Sequence, residues 1–177
     1  MIRTTPGYLL LTIVAAPLSA QAAANGGNLG VNAAHNIWMM NASYITQAAQ
    51  DMPEAKYAFK ATPAVRSFGQ LIGHVAGSQY MFCAAAIGET VPAEDDIEKT
   101  KTSKADLVTA MQASNDYCAK AYAQTDMAAR AEVTMFGQKV NRLWVLNSNG
   151  SHTAEHYGNL VTYLRLNGMV PPSSKAQ

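Results

Sequence analysis

Charge is scarce in this chain, and neither sign dominates. Charged side chains make up 14% of the 177 residues, with 13 basic against 12 acidic and a formal charge of +1. Binding to nucleic acid usually needs a basic patch or stripe, so nucleic acid is not expected as a partner. Cysteine is nearly absent. Cys83 and Cys118 are the two in the chain, and they lack the C-x-x-C spacing of a metal or redox motif and the C-x-x-C-H of haem attachment. There is no G-x-S-x-G nucleophile elbow and no phosphate-binding glycine loop. No strand-like alternation of useful length, internal repeat or low-complexity tract appears. What the chain does have is an apolar content of 49%, ample for a core. Much of it is alanine, which favours helix, and the length suits one domain.

The first residues form a separate object. Met1-Ile-Arg3 is a short positive segment, Tyr8 to Ala16 is an apolar run, Pro17 breaks it, and Ala20-Gln21-Ala22 is a small-x-small cleavage site. Residues 1–22 are therefore expected to be a signal peptide cleaved after Ala22, with Ala24 as the alternative. The run is too short for a permanent membrane span, so no stable membrane anchor is expected. The mature chain would be periplasmic or otherwise secreted, with 12 basic against 12 acidic residues once Arg3 is lost. In an oxidising compartment Cys83 and Cys118 could form one disulfide. Two buried free thiols are the alternative, and sequence alone leaves both open.

Residues 23–30 are rich in Gly, Asn and Ala and read as a flexible mature N-terminus. Apolar residues then recur at helical spacing from about Asn32 to Asp51, where Met52-Pro53 ends the helix. Tyr57 and Phe59 in the following connection are expected to fold back on the core. Thr62-Pro63 predicts the start of a second helix, running to Ile87 and stopped by Gly88. Glu89 to Thr102 reads as an exposed polar loop. Ser103-Lys-Ala-Asp106 resembles a capping box opening a third helix to about Gln124. A looser region follows, and a fourth helix is predicted from about Val140 to Asn167, closed by Gly168 and Pro171-Pro172. Four long amphipathic helices with two longer connections, over residues 31–172, predict an all-α four-helix bundle. Residues 173–177 are left as a tail.

Histidine is rare too, with four in the chain, so its placement is informative. His152 and His156 lie four residues apart on the fourth helix. That is about one turn, which puts both imidazoles on one face roughly 6 Å apart along the axis, suitable for two ligands of one divalent ion. His74 sits on the second helix between Gly73 and Gly77, whose mid-helix glycines call for a packing or site explanation. Three imidazoles with a fourth position open would describe a reactive metal site. Glu155 is at the wrong offset for H-E-x-x-H. It is either a carboxylate behind the ligands or a solvated acid. Tyr163, nearly on the face of His156, either lines a cleft or packs in the core. These two are the candidates for acid–base work. The polar run Asn147, Ser148, Asn149, Ser151, Thr153 is expected to border a cleft, and His35 to cap its helix or sit on the surface.

Met52-Pro-Glu-Ala-Lys-Tyr57, Thr62-Pro-Ala-Val-Arg-Ser-Phe-Gly-Gln-Leu-Ile-Gly-His-Val-Ala76 and His152-Thr-Ala-Glu-His-Tyr-Gly-Asn-Leu-Val-Thr-Tyr-Leu-Arg-Leu-Asn-Gly168 together resemble the DinB-like superfamily of metal-dependent four-helix bundles. The resemblance covers most of the mature chain. It implies one divalent metal, commonly zinc or nickel, held by His74, His152 and His156. Characterised relatives include thiol S-transferases and thiol-dependent isomerases, and homodimers are frequent. Where many relatives follow the last histidine with Arg-Gly-Gln, this chain has Tyr157-Gly158-Asn159. The expectation is an exported metal-binding protein, acting on a small molecule by hydrolytic or thiol-transfer chemistry. A non-catalytic metal- or ligand-binding bundle is the alternative.

Overall fold

In the computed structural model, residues 27–175 are described. The expected signal segment and its cleavage site fall outside the described residues. Four long helices dominate: α1 (Leu29–Asp51), α2 (Phe68–Ile87), α4 (Lys104–Ala121) and α5 (Arg142–Leu166). A short helix, α3 (Asp96–Thr100), lies in the connection between α2 and α4. Around the bundle the order is α1, α5, α2, α4, so α5 and α2, the helices that carry the histidines, are neighbours. The all-α bundle expected from the sequence is the observed fold.

Helix α2 is the interior element. Of its 20 residues, 17 are buried, far more than one apolar stripe provides, because α3, α4 and α5 all lie against it. It starts at Phe68, five residues later than the Thr62-Pro63 signal predicts. Ser67 and Gln70 form a reciprocal capping box: the Ser67 hydroxyl accepts from Gln70 N at 3.2 Å and Ser67 N donates to Gln70 Oε1 at 2.9 Å. The next two amides donate to the carbonyls of Phe59 and Tyr57, each at 2.9 Å. Those bonds hold the preceding connection across the helix start, so residues 62–66 stay outside it. Tyr57 is buried as expected and donates to Ala49 O at 2.6 Å. Helix α1 begins at Leu29, three residues before the predicted start, tied down by Asp126, which accepts from Gly30 N and Val31 N at 3.0 and 2.8 Å.

The absence of strands is corrected. β1 (Glu132–Met135) and β2 (Gln138–Asn141) form an antiparallel hairpin in the region read as loose. Four-residue strands are too short to display alternation. The turn is visible only in backbone terms: Phe136 and Gly137 have φ of 51° and 75°, as a two-residue type I′ turn requires. The hairpin tip folds toward α2, with Phe136 edge-on to Phe82 at 5.9 Å between ring centroids.

Cys83 of α2 and Cys118 of α4 form a disulfide, with Cα atoms 5.3 Å apart. Among the described residues no helix is long and apolar enough to cross a membrane.

Candidate metal centre

His74 comes from the middle of α2 and His152 and His156 from one face of α5. Their Nε2 atoms converge, His74 to His156 at 3.2 Å and His156 to His152 at 3.0 Å. His74 and His156 are buried, and His152 is half-buried at its rim. One ring nitrogen carries at most one proton, so His156 Nε2 can satisfy one of its two neighbours and not both. A divalent cation resolves this by accepting all three lone pairs. Metal–nitrogen bonds of about 2.0–2.1 Å place tetrahedral ligands about 3.3 Å apart, close to the spacings observed. The three donors lie within 4.8 Å of one another, and the donor set fits a divalent ion.

Electrostatics keep these rings in the ligating, neutral form. Burial pushes the His152 and His156 imidazoles down to about 4, with neighbouring imidazoles reinforcing the shift and nearby carboxylates opposing it. His74 is lowered as well, mainly by burial and then by the Arg66 guanidinium. The outward nitrogens are poorly served. His74 Nδ1 and His152 Nδ1 are buried without a hydrogen-bond partner. The nearest acid to His74 Nδ1 is Glu98 Oε2 at 3.8 Å, and His156 Nδ1 lies 3.4 Å from the Asn159 amide.

Two acids from the α2–α4 connection, read in the sequence as an exposed loop, come to this site. Glu98 holds Arg66 Nε through both carboxylate oxygens at 3.1 and 3.0 Å. Glu94 Oε1 accepts from the Ser78 hydroxyl at 2.5 Å and stands 3.8 Å from His74 Nε2 and 4.0 Å from His152 Nε2. The glycines that flank His74 make this approach possible. A Cβ on Gly73 would lie 2.9 Å from Glu98 Cα, and one on Gly77 would collide with the Glu94 carbonyl. The available signal was the pair of glycines; nothing in the sequence shows which segment crosses them.

A cleft of about 730 Å³ opens beside His156, walled by Val65, Leu71, Arg66, Glu98, Glu155 and Tyr163 among others. Glu155 is exposed on its margin. Tyr163 is buried, and its hydroxyl donates to Arg66 O at 2.6 Å, so it positions the Arg66 backbone. Phe82 lies 5.6 Å from the His152 ring. His35 is not at this site; its ring packs 5.6 Å from both Trp38 and Tyr122. The polar run of α5 is divided between interior and solvent. Asn149 and Thr153 are fully buried, with Thr153 Oγ1 donating to Asn149 O at 2.7 Å, while Asn147 and Ser151 face solvent. A helix with 3.6 residues per turn distributes such a run around its circumference.

Comparison with known proteins agrees with this architecture. A sequence model described as the DinB superfamily matches residues 40–160. Among solved structures, a DinB-like protein from Bacillus cereus superposes with a TM-score of 0.67 at 15% identity, covering 76% of this chain and 91% of that one. A DinB-like protein from Bacillus subtilis gives 0.64 at 19% identity, over 81% and 99%. A mycothiol-dependent maleylpyruvate isomerase gives 0.61 at 18% identity, over 76% of this chain and 66% of its own. No curated protein matches.

Proposed function

The chain belongs to the DinB superfamily, and from that premise we propose that it is an exported metal-dependent enzyme acting on a small molecule by hydrolytic or thiol-transfer chemistry. The observation that carries this reading is the convergence of three imidazoles, one of which, His156, lines a 730 Å³ cleft. His74, His152 and His156 would hold one divalent ion, zinc or nickel, which supplies Lewis acidity toward a substrate atom. Apolar contacts from Val65 and Leu71 would bind the body of the substrate and exclude water. The Arg66 guanidinium, fixed by Glu98 and by the Tyr163 hydroxyl on its carbonyl, would orient an anionic group. Glu155, at the margin, is the acid best placed to exchange a proton with solvent.

Likeness to an isomerase that uses mycothiol supports the thiol-transfer branch. The Cys83–Cys118 disulfide supports export, since such bonds persist in oxidising compartments. A second reading, a non-catalytic metal-holding bundle, is favoured by Glu94, whose carboxylate stands beside the same nitrogens. A homodimer is proposed on family grounds and is checked by light scattering.

The deciding experiment is elemental analysis of the purified protein and its His74→Ala, His152→Ala and His156→Ala variants, followed by turnover assays of the loaded protein with low-molecular-weight thiols and with esters. Full occupancy in all three variants would remove the metal site and with it this reading. Mass spectrometry of protein from its native host is expected to give an N-terminus at Ala23. Retention of Met1 would refute export by cleavage.

A further inference from the structure

We propose that Glu94 is the fourth protein ligand of the ion, an inference that rests on the three-histidine reading above. Four observations lead to it. Glu94 Oε1 lies 3.8 and 4.0 Å from two of the three converging nitrogens, about half an ångström beyond the edge of a tetrahedral ligand set. That same oxygen accepts from Ser78, which stands one turn after His74 on the same face of α2 and is fully buried. The Ser78 hydroxyl thus aims the carboxylate at the site. The backbone is brought in by Gly77, which leaves no room for a Cβ beneath the Glu94 carbonyl. Finally, an imidazole ligates only as the neutral ring, so three histidines bring no negative charge, and an anionic ligand offsets part of the charge of a divalent ion in a partly dry site.

The other acids nearby are differently employed. Glu98 faces Nδ1 of His74, on the far side of the ring from the convergence point, and is engaged by Arg66. Asp95 pairs with Lys99. Glu155 is exposed at the cleft margin. Glu94 differs from the histidines in one respect that bears on function. It sits on a connection, with its side chain 36% exposed, so it can swing out without disturbing a helix of the bundle. The ion would be held by the three imidazoles and the Glu94 carboxylate, and Glu94 would be the one donor not fixed by a bundle helix.

The test uses Zn(II) and Co(II) alone, on the full mature chain. Zn(II) affinity is measured by competition with a chromophoric chelator, and coordination is read from the visible absorption of the Co(II) form. Glu94→Gln is expected to weaken Zn(II) binding at least ~10-fold and to change the Co(II) spectrum, with the circular dichroism unaltered. Gly77→Ala, which must push the Glu94 backbone away, is expected to reproduce the spectral change. An unchanged Co(II) spectrum in Glu94→Gln would overturn the proposal, even where affinity falls, because the carboxylate would then act only through space. The His74→Ala, His152→Ala and His156→Ala variants are the control for the underlying reading: their loss of metal leaves the histidine site standing whatever Glu94 does, and full retention of metal in all three defeats both.

Discussion

Two buried polar clusters sit on neighbouring turns of the same helices, and they are finished differently. One is the histidine site. The other surrounds the disulfide. There the Trp38 indole donates to Gln79 Oε1 at 2.5 Å, and Gln79 Nε2 donates to Ser114 Oγ and Asn115 Oδ1 at 2.9 Å each. Asn115 continues to Thr46 at 3.0 Å. Asn149 Nδ2 donates to the Tyr122 hydroxyl at 3.2 Å, which donates to Leu146 O at 2.9 Å. One acceptor, Asn149 Oδ1, is left over. In the histidine site, by contrast, two nitrogens compete for the single hydrogen-bonding position of His156 Nε2, and two outward nitrogens have no partner. Leaving buried polar groups unpaired costs free energy. The disulfide cluster meets all its needs but one within the chain and ties together α1, α2, α4 and α5. The histidine cluster has needs that a cation meets.

The largest expected effect separates them directly. His152→Ala should weaken Zn(II) binding at least ~1,000-fold, about 4 kcal/mol, while leaving the helical content and the disulfide intact. Chelator competition with circular dichroism on the same sample checks both halves. Cluster roles would have to be exchanged if the variant unfolded yet kept its metal.

Breaking the other cluster should do the reverse. The disulfide closes a loop with a sequence separation of 35. The chain-entropy relation gives about 3–4 kcal/mol for such a closure. Cys83→Ser with Cys118→Ser should lower the denaturation free energy by that amount and leave metal affinity near that of the parent. Gln79→Ala is a smaller version, about 2–3 kcal/mol, because it strands the Trp38 indole and the Ser114 and Asn115 groups. Urea titrations of the three proteins rank these effects. A metal affinity that followed stability in either variant would show the clusters to be one unit.

Much of this division was legible in the sequence, for reasons that differ by residue. The histidines were legible because metal ligation on a helix imposes a spacing of one turn, and His152 and His156 display it. The four long helices were legible from their periodicity. Glu94 and Glu98 were not, because their roles depend on where a polar connection crosses α2, and a polar loop reads as solvated until its path is known. Asn149 was misplaced for a related reason: polarity was read as exposure, whereas this amide is buried against the disulfide and Tyr122. The start of α2 was misread because Thr62-Pro63 and Ser67-x-x-Gln70 are both valid caps. The amide bonds from Phe68 and Gly69 to the preceding connection settle the choice.

pH separates the two clusters as well. The hydrogen-bonded side chains of the disulfide cluster do not titrate in mild acid, although the His35 ring packs against Trp38 and Tyr122, whereas the histidine cluster is built from three imidazoles. All three have a folded-state pKa below the ordinary value, and two lie at about 4. Between that value and the unfolded pKa of about 6.5, the unfolded chain binds more protons than the folded one. Stability therefore rises with pH in this window. It is fully present above about 6.5 and is lost progressively as pH falls toward 4, with a ceiling of about 1.4 kcal/mol per pH unit for each ring. Solvent at the half-exposed His152 and coupling among the rings reduce the slope below that ceiling. Metal holds the rings unprotonated, so it should deepen the loss in acid as the ion is released. Thermal melts of the apo protein from pH 7 to pH 4, repeated with Zn(II), give the two slopes. In His152→Ala the apo slope should shrink and the zinc increment vanish. In the cysteine double variant both should persist on a lower baseline. If chelator alone unfolded the protein at pH 7, the histidine cluster would be the structural one, and the enzyme reading would give way to the metal-holding bundle.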